Sequence, residues 1–377
     1  MADLTFFAPT SLGLESVLAA ELAGIGAGNV VVGSGGVAFT GDRATCYRAN
    51  LHLRTAIRVL MRIAEFVCAS YDELYENTRA IDWGELMTLT DTLAVDCNVR
   101  DTPGVTHSQY GSRRVKDAVV DQFRDKTGQR PNVDPENPTL KINVHISRGR
   151  CVLSLDSSGV SLHMRGYRTL VNEAPLKETL ACGLLAHAGW QETGAFADPF
   201  CGTGTIVIEA ALQAKRMAPG LMGRQFGFQR WRGFDARLWR TLVEEAEARV
   251  IPKPDCRIQG SDIDPEAIRA ARGNARSAGV DGLIQLSVAD AMNFKPAEPC
   301  LIVTNPPYGE RMGDPEELKG LYKQFGDTLK QNCKGSTAHI FIAGGTPLVK
   351  CVGLRSSRKV VVFNGPLEGR LVKYELF

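Results

Sequence analysis

The chain has no run of about 18 apolar residues, the length a membrane-spanning helix needs. Its start, Met1-Ala2-Asp3-Leu4-Thr5, lacks a basic stretch followed by a long apolar one, so a secretory leader is not indicated. Ten cysteines are present, but none stands in a C-x-x-C pair and none groups with histidine at zinc spacing. They read as reduced, mostly buried small hydrophobes in a reducing cytoplasm, and no metal site is expected. An excess of either charge is missing too: 44 Lys and Arg stand against 42 Asp and Glu, a formal net charge of +2. With no global field to attract nucleic acid, any contact with RNA must come from local basic patches. Internal repeats and low-complexity segments are also absent.

What remains is 377 residues with 44% hydrophobic content, enough for two or three packed domains. Residues 4–63 alternate strands and helices as a small α+β unit. A helix is expected over Tyr71–Ile81 and a strand over Leu93–Val99. A basic helix follows from about Ser108 to Lys126, with Val115, Val119 and Phe123 on one face and Gly128 beyond its end. Leu140–Ile146 and Cys151–Leu155 flank a turn as a hairpin. From about Pro175 the pattern becomes strand–helix–strand, which means a mostly parallel sheet, closed by the strands Lys359–Phe363 and Leu371–Leu376 as an edge hairpin.

Two runs about a hundred residues apart carry the chemistry. The first, Asp198-Pro199-Phe200-Cys201-Gly202-Thr203-Gly204-Thr205, lies between a short apolar strand and a helical run. Gly202 and Gly204 let the backbone approach a ligand closely. Asp198 ends the strand, where open parallel sheets bind ligands. A carboxylate there suits the ammonium of a methionine moiety and is wrong for a pyrophosphate, which wants bare N–H groups. The expected cofactor is therefore S-adenosylmethionine. Asp262, followed by Ile263, ends a second strand and is placed for two ribose hydroxyls; Asp290 ends a third and suits either an adenine amino group or a solvated turn. Asp264-Pro265 reads as a helix cap. Residues 216–255 are an insertion, carrying Arg224, Arg230, Trp231, Arg232 and Trp239, that forms either a substrate lip or a packed excursion. Cys201 has no activating neighbour and reads as packing rather than as a nucleophile. Gly24-Ile25-Gly26-Ala27-Gly28 follows a helix, not a strand, and reads as a helix stop rather than a nucleotide loop.

The second run is Asn305-Pro306-Pro307-Tyr308, after the apolar strand Leu301-Ile302-Val303. The prolines stiffen the loop. The Asn305 amide oxygen and the Pro306 carbonyl can accept both N–H bonds of an exocyclic amino group, and Tyr308 offers a ring for the base to stack on. Such a loop serves guanine N2 and adenine N6 alike.

These two runs, with Ile208-Glu209 and Gly309-Glu310-Arg311, resemble the RNA guanine-N2 methyltransferases that carry a THUMP RNA-binding module. Val119–Gly128, Val144-His145-Ile146 and Leu153–Gly159 resemble that module, and Leu162–Arg168 resembles the family's joint between modules. The resemblance implies an α/β fold: a Rossmann-like class I methyltransferase domain with a seven-stranded, mostly parallel sheet, preceded by a smaller α+β ferredoxin-like and THUMP region. The implied bounds are 1–43 for the first part of the ferredoxin-like domain, 44–157 for THUMP, 158–174 for the joint and 175–377 for the catalytic domain. The implied site is Asn305, Pro306, Pro307 and Tyr308 for catalysis, with Asp198, Pro199, Cys201, Gly202, Thr203, Gly204, Asp262, Ile263, Asp290 and Asn305 around the cofactor. Arg113, Arg114, Lys116, Arg124, Arg148, Arg165 and Arg168 are the expected RNA contacts, the alternative being ordinary solvated charges paired along their helix. The expected activity is methyl transfer to N2 of a guanosine in 23S ribosomal RNA in the cytoplasm, with the RNA module and Glu209 together tilting the reading towards guanine. An adenine-N6 methyltransferase is the runner-up. A non-catalytic ribosome-assembly factor would be expected to lose Asp198, Asp262 or Asn305, and all three are present.

Overall fold

The computed structural model describes residues 3–168, 176–307 and 315–377. The elements run β1 (Leu4–Pro9), α1 (Glu15–Gly24), β2 (Gly28–Gly33), β3 (Gly36–Gly41), α2 (Arg43–His52), β4 (Leu60–Val67), α3 (Tyr71–Arg79), β5 (Thr92–Arg100), α4 (Ser108–Thr127), β6 (Asn132–Val133), β7 (Leu140–Ser147) and β8 (Arg150–Asp156). The second half contains α5 (Glu178–Ala188), β9 (Gly194–Asp198), α6 (Thr205–Ala214), α7 (Ala236–Glu247), β10 (Cys256–Asp262), α8 (Pro265–Ser277), β11 (Ile284–Val288), β12 (Leu301–Thr304), α9 (Pro315–Asn332), β13 (Thr337–Ala343), α10 (Leu348–Cys351), β14 (Ser356–Asn364) and β15 (Leu367–Glu375).

The N-terminal half forms one continuous sheet, in the order β2-β3-β1-β4-β8-β7-β5-β6. Strand β4 joins its two parts: Phe6 pairs with Met61 on one side, and Leu60 pairs with Asp156 on the other. Each part keeps its own core. Phe6, Phe39, Tyr47 and Leu51 fill the first. Leu74, Trp83, Val119, Phe123 and Ile142 fill the second. Helix α2, expected with the second module, therefore packs with the first. Helix α4 buries Val115, Val119 and Phe123 and stops at Gly128, whose φ of 77° is the left-handed cap that glycine takes without strain. The glycines after α1 act as a stop, with α1 ending at Gly24 and Gly26 at φ 80°.

The catalytic half is a seven-stranded sheet ordered β11-β10-β9-β12-β13-β15-β14. The first five strands are parallel; β15 runs antiparallel to β13 and β14, and β14 forms the edge. Apolar clusters cover both faces, one built on α5, α6 and α8 and the other on α9. Chain order reverses between β9 and β12, so the crevice beyond the carboxyl ends of β9 and β12 is where such sheets bind ligands.

Insertion 216–255 is a packed excursion. Tyr47 of the first module stacks on Phe228 at 4.3 Å, with the Trp239 ring edge-on at 6.0 Å. Trp231 packs in the boundary between the two N-terminal cores. Arg224, Arg230 and Arg232 donate to the carbonyls of Val160, Pro138 and Gly84. These arginines staple the N-terminal half to the catalytic domain. Among the described residues no helix is long and apolar enough to cross a membrane, and no three His, Cys, Asp or Glu side chains form a metal-holding group. All ten cysteines are free thiols, seven of them buried.

Candidate active site

Four parallel strands deliver the site to one edge of the sheet. β9 ends at Asp198, β10 at Asp262, β11 just before Asp290 and β12 at Thr304, followed by Asn305. Register sets their alignment: Asp198 pairs with Gly260, Asp262 with Val288 and Ala197 with Ile302.

The turn after β9 is held from all sides. The Cys201 amide donates to Ser261 O at 2.9 Å, and the Gly202 amide to Asp262 Oδ2 at 2.8 Å. The Thr203 carbonyl accepts from Asn274 Nδ2 at 3.1 Å. Gly204 caps α6 at φ 86°, and a Cβ there would press on Ala271 at 3.1 Å. Gly202 has φ 53°, and a Cβ there would meet nothing within 4 Å among the described residues. The backbone at Gly202 is thus open to a ligand beside the Asp262 carboxylate.

Asp198 is buried, 1% exposed. Its Oδ1 accepts from the Phe200 amide at 3.1 Å and from the Thr304 hydroxyl at 2.6 Å. Burial lifts its pKa to about 7, against the downward pull of those two hydrogen bonds, with the Asp262 charge adding to the rise. A carboxyl of this kind ionises when a cation arrives, as the ammonium of S-adenosylmethionine would. The Asp262 oxygens accept from the Gly202 and Asp264 amides, and each keeps lone-pair capacity for a further donor such as a hydroxyl. Ile263 beside it is 68% exposed, an apolar surface suited to an adenine ring. Asp290 accepts from the Met292 amide at 2.9 Å and so caps its own turn. Asp264 caps α8 through the Glu266 amide. Pro199 and Cys201 are buried; burial raises the Cys201 thiol pKa far above its ordinary value, so it is no nucleophile.

At the end of β12 the Asn305 Oδ1 is buried and has no hydrogen-bond partner among the described residues. A buried carbonyl oxygen without a donor costs free energy, and a substrate N–H relieves that cost. Pro307 O accepts from the Tyr322 hydroxyl at 3.3 Å, which ties the loop to α9. Tyr308, the expected stacking ring, and Gly309, Glu310 and Arg311 lie outside the described residues.

Two expected RNA contacts are interior. Arg165 is 1% exposed; it donates to Leu162 O and Arg54 O and lies 3.7 Å from Glu209. Arg168 donates to Leu176 O and Thr205 Oγ1 and pairs with Glu178 at 3.4 Å. Both brace the helix that opens at the cofactor turn, and neither is free for phosphate. Glu209 is fully buried and accepts from the Tyr167 hydroxyl and the Cys182 thiol. Arg114, Lys116 and Arg124 pair with Asp72, Asp117 and Asp121. Arg113 and Arg148 are exposed with no carboxylate partner among the described residues. Sequence reasoning missed Thr304 and Asn274. A hydroxyl directly before Asn-Pro-Pro, and a polar residue on the apolar face of α8, were the available signals.

Comparison with known proteins fits this geometry. Residues 165–373 match the RMKL-like methyltransferase domain, 68–156 the THUMP domain and 5–60 the RlmL ferredoxin-like domain. A Synechocystis relative is 43% identical over 373 residues, covering 99% of this chain and 97% of its own. The ribosomal RNA large subunit methyltransferase K/L of Syntrophotalea carbinolica is 43% identical and covers all of this chain, but the match takes in 54% of that protein. The chain thus spans about half the length of the K/L relatives. A crystal structure of SMU.472 complexed with S-adenosylhomocysteine superposes with a TM-score of 0.90 at 28% identity, covering 100% of this chain and 99% of that one. A Listeria monocytogenes protein called a predicted N6-adenine-specific DNA methylase superposes at 0.89 with 30% identity, covering 100% and 97%. The chain belongs to the RMKL-like methyltransferase family, with ferredoxin-like and THUMP domains ahead of a catalytic domain whose cofactor is S-adenosylmethionine.

Proposed function

We propose that the chain methylates the exocyclic N2 of a guanosine in large-subunit ribosomal RNA, in the cytoplasm where ribosomes are assembled. The observation that carries this reading is the orphaned Asn305 Oδ1 at the sheet's carboxyl edge, joined to the cofactor turn through Thr304 and Asp198. The THUMP domain and the K/L relatives support RNA, and ribosomal RNA in particular, as substrate.

Asn305 Oδ1 and the Pro306 carbonyl accept the two N–H bonds of the base amino group. Pinning both turns the nitrogen lone pair out of conjugation and aims it towards the cofactor turn. S-adenosylmethionine supplies a methyl group already activated by its sulfonium. The nitrogen–carbon bond forms as the carbon–sulfur bond breaks, S-adenosylhomocysteine leaves, and the nitrogen sheds one proton to water. Positioning does most of the work, so no strong base is required. Adenine N6 is the second reading, favoured by the likeness to the Listeria protein. The test is methyl transfer from labelled cofactor to ribosomal RNA lacking the modification. Asn305→Ala is expected to abolish transfer while cofactor affinity stays within a few-fold; near-normal transfer by that variant sinks the proposed role of the loop.

A further inference from the structure

Away from the catalytic edge, three parts of the chain meet around a cavity of about 420 Å³. His52 and Arg54 come from the end of α2, Glu192 and Arg216 from the segments before β9 and after α6, and Ala246 and Arg249 from the end of α7. Because α6 begins at the cofactor turn and ends here, the cavity lies about 15 Å away, at the opposite end of the sheet. It is not part of the cofactor cleft.

The charge of its lining is one-sided, although the Glu21 carboxylate lies behind Arg54 and accepts from the Arg54 amide. Three guanidiniums face one carboxylate, and that carboxylate, Glu192, sits 3.8 Å from Arg216. Arg54 is fixed by donating to Met217 O at 2.8 Å; its other terminal nitrogen has no acceptor among the described residues. Arg249 is exposed and has no carboxylate partner among the described residues. Burial, and then the charges of Arg249, Arg54 and Arg48, hold His52 well below its ordinary pKa, at about 4, so the imidazole adds no charge of its own. Each guanidinium carries a fork of N–H donors that fits phosphate oxygens.

We propose that this cavity is a phosphate-binding site formed jointly by the ferredoxin-like domain, the insertion and the catalytic domain. Its occupant is a phosphate group, either of the RNA backbone or of a free phosphate compound. As a backbone site it rests on the RNA reading above, and it would fix the register of an RNA whose target base lies at the other end of the sheet.

The test uses the full chain and the variant Arg249→Ala/Arg216→Asn, asparagine being chosen because Arg216 has φ 53°. Arg249→Glu alone serves as a second variant, and circular dichroism confirms that both fold. Inorganic phosphate, against chloride at equal ionic strength, is expected to raise the melting temperature of the wild type and not of the variants. RNA affinity across a salt series is expected to show a slope shallower by about 1–2 in the double variant, close to one per lost phosphate contact. Loss of both responses assigns the site to the RNA backbone; loss of the phosphate response alone assigns it to a free phosphate compound. Variants matching the wild type in both measurements overturn the proposal. Asn305→Ala, which tests the catalytic reading, is expected to keep both responses, so the two failures stay distinct.

Discussion

The Thr304 hydroxyl donates to Asp198 Oδ1 at 2.6 Å, and this bond couples the turn after β9 to the loop that begins at Asn305. Thr304 immediately precedes Asn305, and Asp198 opens the turn that ends at Gly204. Thr304→Val keeps the shape and removes the donor. Both cofactor affinity and turnover should fall, by an amount near the 1–3 kcal/mol that a buried acceptor loses with its partner. Calorimetry with S-adenosylmethionine and steady-state kinetics check this; a change in turnover alone would show that the bond serves only Asn305.

Cofactor binding is predicted to depend on pH through Asp198. Its folded pKa of about 7 lies above the unfolded value near 3.9, so the protonated form is favoured in the empty protein. That stabilisation is complete below about pH 4 and fades as pH rises through 7. An ammonium ligand needs the ionised form, so affinity should rise from pH 6 to about 7.5, until the ligand's own amine begins to lose its proton. Asp198→Asn should bind weakly, with little pH dependence across that window, and its stability advantage over the wild type should grow as pH rises. Isothermal titration at several pH values, with melting curves alongside, reads both.

Glu209 holds a buried knot with Arg165, Tyr167 and Cys182. Removing the carboxylate leaves the Arg165 charge uncompensated in the interior, where such a loss costs about 3–5 kcal/mol. Glu209→Ala should lower the main melting transition by about 10 °C, at roughly 2–4 °C per kcal/mol for a domain of this size. A shift of only a degree or two would mean that water or another group compensates Arg165.

Among the described residues Arg113 and Arg148 have no carboxylate partner, whereas Arg114 is 2.9 Å from Asp72. Arg113→Ala with Arg148→Asn should make the salt dependence of RNA binding shallower by about 1–2, and Arg114→Ala should change it less. Equal effects would mean that the ion pair with Asp72 opens on binding.

Much of this was readable from residue order. Helix α8 opens at the Asp264-Pro265 cap that the sequence marks and runs over Pro265–Ser277. The continuous apolar strands and the two loops at their ends placed the cofactor turn and the Asn305 loop, because local pattern governs both. What escaped was set by distant partners. Arg165 and Arg168 look like surface charges in sequence; their burial depends on Glu209 and Glu178, residues of other elements. Helix α7 and the aromatic docking of Phe228 and Trp239 on Tyr47 involve contacts across almost 200 positions. The fusion of the N-terminal modules into one sheet rests on β4 pairing on both edges, which no local pattern encodes.

The central claim is the identity of the modified atom. The most direct measurement is mass spectrometry of nucleosides from large-subunit ribosomal RNA after incubation with the purified chain and S-adenosylmethionine, the RNA having been made without modification. The account predicts one new product, N2-methylguanosine, absent when Asn305→Ala replaces the wild type. N6-methyladenosine, or no methylated nucleoside from a chain that binds its cofactor, would contradict it.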